Sequence, residues 1–97
     1  MRAAVVATVM CLAACTGSGA VPRADAEMAA RSGQDLNILS RGRHVYTTNC
    51  TGCHALYRVA DRNAEGWRDI VASMAPKAKL DERSRSDLLA YLQAAAR

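Results

Sequence analysis

Cys50-Thr51-Gly52-Cys53-His54 is a C-x-x-C-H sequence. Two thiols three positions apart on one turn are spaced to add to the two vinyl groups on adjacent pyrrole rings, and the residue after the second thiol then sets its imidazole beneath the iron. The pattern is the signature of covalent c-type haem attachment, with Cys50 and Cys53 as thioether positions and His54 as the proximal iron ligand. Other chemistries use the same residue types. A structural disulfide or a thioredoxin-like dithiol calls for a neighbouring strand–helix–strand pattern, and the sequence has none. A zinc site calls for four ligands; Cys50, Cys53, His54 and His44 would exhaust the donors, with the histidines away from finger spacing.

Outward from the motif the periodicity is helical on both sides. A first helix is predicted from about Leu36 to Thr48, with Leu39, Gly42 and Tyr46 on one face and the motif directly after its end. A second, from about Ala64 to Met74, places Trp67, Ile70, Val71 and Met74 at i, i+3, i+4 and i+7, and Pro76 stops it. A third, from about Glu82 to Ala96, starts at Asp81 as N-cap and carries Leu88, Leu89, Tyr91, Leu92 and Ala95 on one side. No strand pattern is present, so the fold class is all-α. The chain has 97 residues, and its aromatic side chains are Trp67, Tyr46, Tyr57 and Tyr91, with no Phe. Much of its apolar content is alanine, and a domain this small has little core of its own. A haem wedged among three helices would supply the apolar volume that the side chains lack.

The N-terminus reads as a targeting segment. Arg2 is followed by an uncharged apolar run from Ala3 to Ala14, too short to span a bilayer as a mature helix. It ends in Leu12-Ala13-Ala14-Cys15, similar to the lipobox of bacterial lipoproteins, which implies removal of residues 1–14 and lipidation of Cys15. Cys11 fits that pattern poorly and leaves with the signal. The other possibility is an ordinary export signal or an uncleaved anchor; every version exports the chain. Thr16 after the cysteine favours outer-membrane retention, on the periplasmic side. Cleavage leaves 83 residues with 12 cations against 9 anions. That excess is too diffuse for a nucleic-acid binder. The stretch TGSGAVPRADAEMAARSGQ, residues 16–34, is rich in Gly, Ala and Ser; Ala24 to Arg31 has room for a helical turn or two but nothing apolar larger than Met28 to dock it, so residues 15–34 are expected to be a flexible tether and the folded unit to begin near Asp35.

From about Asp35 to Arg97 the chain resembles a small class I cytochrome c. Gly42 and Tyr46 ahead of the motif match the family's Gly-x-x-x-aromatic pattern, in which the glycine lets the first and last helices cross closely. Tyr91 matches the aromatic residue packed at that crossing. Met74-Ala75-Pro76-Lys77-Ala78-Lys79-Leu80-Asp81 is similar to the methionine–proline segment of short bacterial cytochromes, where the methionine binds iron. The resemblance thus implies one covalent haem c, held by Cys50, Cys53 and His54, with Met74 as the distal ligand. The departure is length, since only 20 positions separate His54 from Met74, a contraction that implies a more exposed haem edge. Elimination leaves Met74, Met28, His44, Lys77, Lys79 or an open position on the distal side. His44 lies two positions from both Gly42 and Tyr46, roughly opposite the crossing face, and Met28 lies in the tether.

The ligand set decides the chemistry. A thioether favours ferrous iron and raises the potential, which suits electron transfer, whereas an open iron admits a small molecule. The resemblance implies a membrane-tethered monohaem carrier that passes single electrons between exported redox proteins, a dehydrogenase or a terminal oxidase among them. No acid/base pair or nucleophile constellation argues for an independent enzyme. Two alternatives stand beside it: a haem-bearing accessory subunit of a periplasmic dehydrogenase or oxidase, and a haem sensor with an open distal site. Tyr57, Arg58, Arg62 and Trp67 are placed to meet a haem rim or propionate, and Arg41, Arg43, Lys77 and Lys79 to form a basic docking surface for an acidic partner.

Overall fold

The computed structural model describes residues 21–50 and 57–96. Within them the chain forms four α-helices, α1 (Ala26–Ser32), α2 (Leu36–Asn49), α3 (Ala64–Met74) and α4 (Glu82–Ala95), with a 3-10 turn over Val59–Asp61 and no strand among the described residues. The protein is all-α. Each long helix opens on a side-chain cap: Asp35 accepts from the Asn37 N–H at 2.7 Å, Asn63 from Gly66 at 2.7 Å, and Asp81 from Ser84 at 2.7 Å. These bonds satisfy N–H groups that have no partner inside a first turn. The α3 helix ends at Met74, one residue before the Ala75 cap and two before Pro76. The three predicted helices therefore stand within a residue of their expected ends.

Helices α2 and α4 make the most extensive contact, α3 packs along α4, and α1 lies against both α4 and α2. Along α2 the buried positions are Leu39, Gly42, Val45 and Tyr46, a stripe at helical spacing. It meets Leu88, Tyr91, Leu92 and Ala94 of α4. The crossing is closest at Gly42. A Cβ built there would overlap the Asp87 carbonyl oxygen and stand 2.6 Å from Tyr91 Cβ. Only a hydrogen on that Cα fits so near a neighbouring helix backbone. The same crossing buries Asp87, whose carboxylate accepts from Arg41 Nε at 2.9 Å.

The expectation for residues 21–34 needs correction. From Val21 onward the segment is ordered against the domain, and it supplies a fourth helix where three were expected. Asp25 caps α1 by accepting from the Met28 N–H at 2.9 Å, and Gly33 ends it at φ 77°, a left-handed value that suits glycine. Met28 is 3 % exposed. The other attachments are to backbone: Arg43 donates from Nε to the Pro22 carbonyl at 3.0 Å and from Nη2 to the Val21 carbonyl at 3.3 Å, and the Tyr91 hydroxyl donates to Pro22. Residues 1–14, Cys15 and the remainder of the expected tether up to residue 20 lie outside the described residues. Among the described residues no helix is long and apolar enough to cross a membrane.

Candidate functional site

Tyr46 organises the region on which the motif is built. It sits one turn before the end of α2, and its carbonyl accepts from the Cys50 N–H at 3.3 Å. Its hydroxyl donates to the Tyr57 carbonyl at 2.6 Å. The two flanks of segment 51–56 are thus fastened to one residue. Trp67 closes the arrangement from α3: its ring meets Tyr46 edge to face, with centroids 5.7 Å apart and an interplanar angle of 85°, and its Nε1–H donates to the buried Val59 carbonyl at 2.9 Å. The 3-10 turn that follows the motif is anchored by this bond. Val59 was not singled out from sequence; the bond it makes is through its backbone, and its one local signal is an isolated apolar side chain among charged neighbours.

Cys50 is buried at the end of α2, and the half-buried Met74 ends α3. Both line a cleft of about 350 Å³ whose other described walls include Tyr57, Ile70, Arg62 and Lys77. Deeper in, Cys50 and Met74 share an apolar surface with Tyr46, Trp67, Val71, Leu88 and Leu92. A thiol and a thioether therefore converge on one apolar hollow, with cations and polar side chains at its mouth. Arg62 lies over the Tyr57 ring, 4.8 Å from its centroid, so it is held at the rim by a contact that Arg58 lacks; Arg58 is exposed and pairs with Asp61 at 4.0 Å. Asn49, Ser73 and Ala78 also line the cleft and were not anticipated, since small and polar residues at helix ends carry no periodic signal.

The remaining distal candidates separate clearly. Met28 is enclosed beside Pro22, Arg23 and Asp25, a different place from the Cys50–Met74 cleft. His44 is exposed and borders grooves with Ser40 and Arg43, as its angular position on α2 predicts. Lys77 lines the cleft, whereas Lys79 is exposed in the turn after α3 at φ 58°. Among the described residues no three His, Cys, Asp or Glu side chains gather into a metal-binding group; Cys53 and His54 lie outside those residues. Of the four cations expected to form a docking surface, Arg41 is engaged with Asp87 and Arg43 with the backbone of residues 21 and 22.

Burial also sets the ionisation of the two inner tyrosines. It pushes the Tyr46 hydroxyl up to about 12, with Cys50 and Tyr91 adding to the rise. Burial pushes Tyr91 up to about 12 as well, against the opposing charge of Arg43. An unfolded tyrosine releases its proton near pH 10. The folded chain keeps both protons where the unfolded chain loses them, so stability is full below about pH 10 and falls as pH rises toward about 12. In urea titrations followed by helical circular dichroism, we expect the midpoint to drop across this window. A Tyr46→Phe, Tyr91→Phe double variant, weaker at neutral pH, is expected to show a flatter alkaline decline.

No family model matches the chain, and searches among curated proteins and among solved structures returned no match.

Proposed function

We propose that the chain is a monohaem c-type electron carrier of the class I cytochrome kind, held at the periplasmic side of a bacterial membrane, in the outer membrane by the Thr16 signal, through a lipid on Cys15. The observation that carries the reading is the convergence of Cys50, the first residue of the C-x-x-C-H motif, with Met74 on one apolar cleft. The donor set fits the group: Cys50 and Cys53 would hold it covalently, His54 would bind the iron from the motif side, and Met74 is the thioether already turned to the same hollow. Bound there, haem supplies a one-electron ferric/ferrous couple, and thioether ligation raises its potential. Ile70, Trp67, Val71, Leu88 and Leu92 exclude water from the inner wall. Arg62 and Lys77, at the mouth, are placed to balance propionate charge. Redox proteins exchange electrons with the carrier across the open mouth of the cleft.

The test is the absorption spectrum of the protein matured in a host with c-type haem assembly, oxidised and reduced. The wild-type chain is expected to carry one covalent haem, with a weak long-wavelength iron–sulfur band in the oxidised state. Met74→Ala is expected to retain the haem and lose the band; Cys50→Ala combined with Cys53→Ala is expected to lose the covalent haem. A high-spin wild-type spectrum, together with ready carbon monoxide binding by the reduced protein, would reject Met74 ligation and favour a sensor with an open distal site. A haem protein that resists separation from a dehydrogenase or oxidase after gentle extraction would favour the accessory-subunit alternative.

A further inference from the structure

We infer that residues 21–34 are a clamp, not a leash, and that they hold this carrier within about 20 Å of its own bilayer, which restricts it to one-electron partners that come to that surface. The inference rests on the proposed lipid at Cys15 and deepens the proposed function by naming where its partners are. Three side chains hold the segment, two of them converging on the Pro22 carbonyl. Met28 is buried beneath α1, Arg43 grips two successive carbonyls from α2, and Tyr91 reaches Pro22 from α4. Val21, Ala24 and Ala29 add apolar contact with the core. Two of these grips come from the α2–α4 crossing itself, where the helices approach most closely, so the chain leaves the domain at a fixed point.

The consequence is one of reach. If residues 15–34 were free, the chain from Cys15 to Asp35 would extend to about 70 Å. With the clamp closed, only the stretch from Cys15 to Val21 separates the lipid from the domain, and no conformation extends it beyond about 20 Å. A domain so held stays at the lipid surface whatever the anchor's lateral position. It can meet a partner moving in, bound to, or diffusing up to the same membrane surface, and it cannot reach one fixed at an opposing membrane. Arg43, expected to serve a docking surface, is spent on this fastening.

The test uses the full chain, haem-loaded and lipidated, in phosphatidylethanolamine–phosphatidylglycerol vesicles containing a dansyl-labelled phosphatidylethanolamine. Trypsin reads the clamp directly at Arg31 and Arg23. A Met28→Asp, Arg43→Gln variant is expected to be cut there at least about tenfold faster than wild type while the domain keeps its helicity. Quenching of the dansyl headgroup by the haem reads the height. Inserting twelve Gly/Ser residues after Gly19 leaves the domain untouched, and it should lengthen the mean reach about 1.7-fold if the free tether runs to Val21, against about 1.3-fold if it runs to Asp35. Equal trypsin rates in wild type and variant, or the smaller lengthening, would each overturn the inference. An N-terminal peptide without lipid mass overturns it too, but by removing the anchor, and a spectrum without haem c rejects the proposed function instead; mass and absorbance distinguish these failures from a clamp that is open.

Discussion

Gly42→Ala is expected to destabilise the fold by about 3 kcal/mol or more, at the upper end of what overpacking costs. The reason is what the new methyl would meet. It would overlap the Asp87 carbonyl oxygen and press Tyr91 Cβ at 2.6 Å. A backbone carbonyl and a Cβ cannot rotate aside as a long side chain can, so α2 and α4 must separate. Separation would open the largest interface of the fold, and it would loosen the Arg41–Asp87 pair and the Tyr91–Pro22 bond that depend on it. Against a total stability of about 5–15 kcal/mol for a native domain, the variant is expected to unfold at markedly lower urea with an unchanged slope. The other described glycines provide the scale. Gly33 has open space around its Cα but a φ of 77°, so Gly33→Ala should cost only about 1–2 kcal/mol through backbone strain. Gly66 has an ordinary φ, and its nearest prospective neighbour is the Asn63 Oδ1 at 3.3 Å, so alanine there should change little. An order other than Gly42 well above Gly33, with Gly66 last, would mean that the crossing is not the keystone of the fold.

The close crossing was legible before any coordinates because a glycine three residues past Leu39 and four before Tyr46 interrupts an apolar stripe without breaking it. Helix ends were legible for a similar reason: Asp81 and Pro76 act through local bonds and local sterics, which a sequence states directly. The docking of α1 was missed, though its helical turns were not, because that docking does not depend on a periodic apolar face. One methionine is buried, and the other grips land on the Val21 and Pro22 carbonyls, groups that every residue carries and no sequence marks. The same distinction runs through the candidate site. Cys50 and Met74 were named from the motif and from the period of α3, and both line the cleft. Asn49, Ser73 and Ala78 line it because of how α2 and α3 end relative to each other, a matter of helix packing that composition cannot convey. His44 shows the converse: its angular position alone was enough to place it on the exposed side of α2.

Trp67→Ala is the second large expected loss, about 3–5 kcal/mol for a truncated core aromatic, and its pattern of consequences says how the motif is supported. The side chain is 1 % exposed. Its removal takes away the edge-to-face contact with Tyr46, worth about 0.5–1.5 kcal/mol beyond area, and leaves the buried Val59 carbonyl with only the longer bond from the Arg62 N–H at 3.4 Å, a loss of about 0.5–1.5 kcal/mol. Both losses fall on the flanks of segment 51–56, because Tyr46 holds Cys50 and Tyr57 and the Val59 turn follows directly. Trp67→Phe separates the two effects: it restores most of the apolar volume and the ring contact but still lacks the N–H. We therefore expect Trp67→Phe to recover more than half of the lost stability in urea melts, with the lost indole bond to Val59 and the smaller ring accounting for the rest. Both variants are expected to mature with less covalent haem in proportion to their instability, while the haem protein that does form keeps the wild-type iron–sulfur band. Loss of the band in Trp67→Phe, at a stability sufficient for full haem loading, would show instead that the indole acts on the Met74 side of the cleft, and the role assigned to it here as a support for the motif's flanks would be wrong.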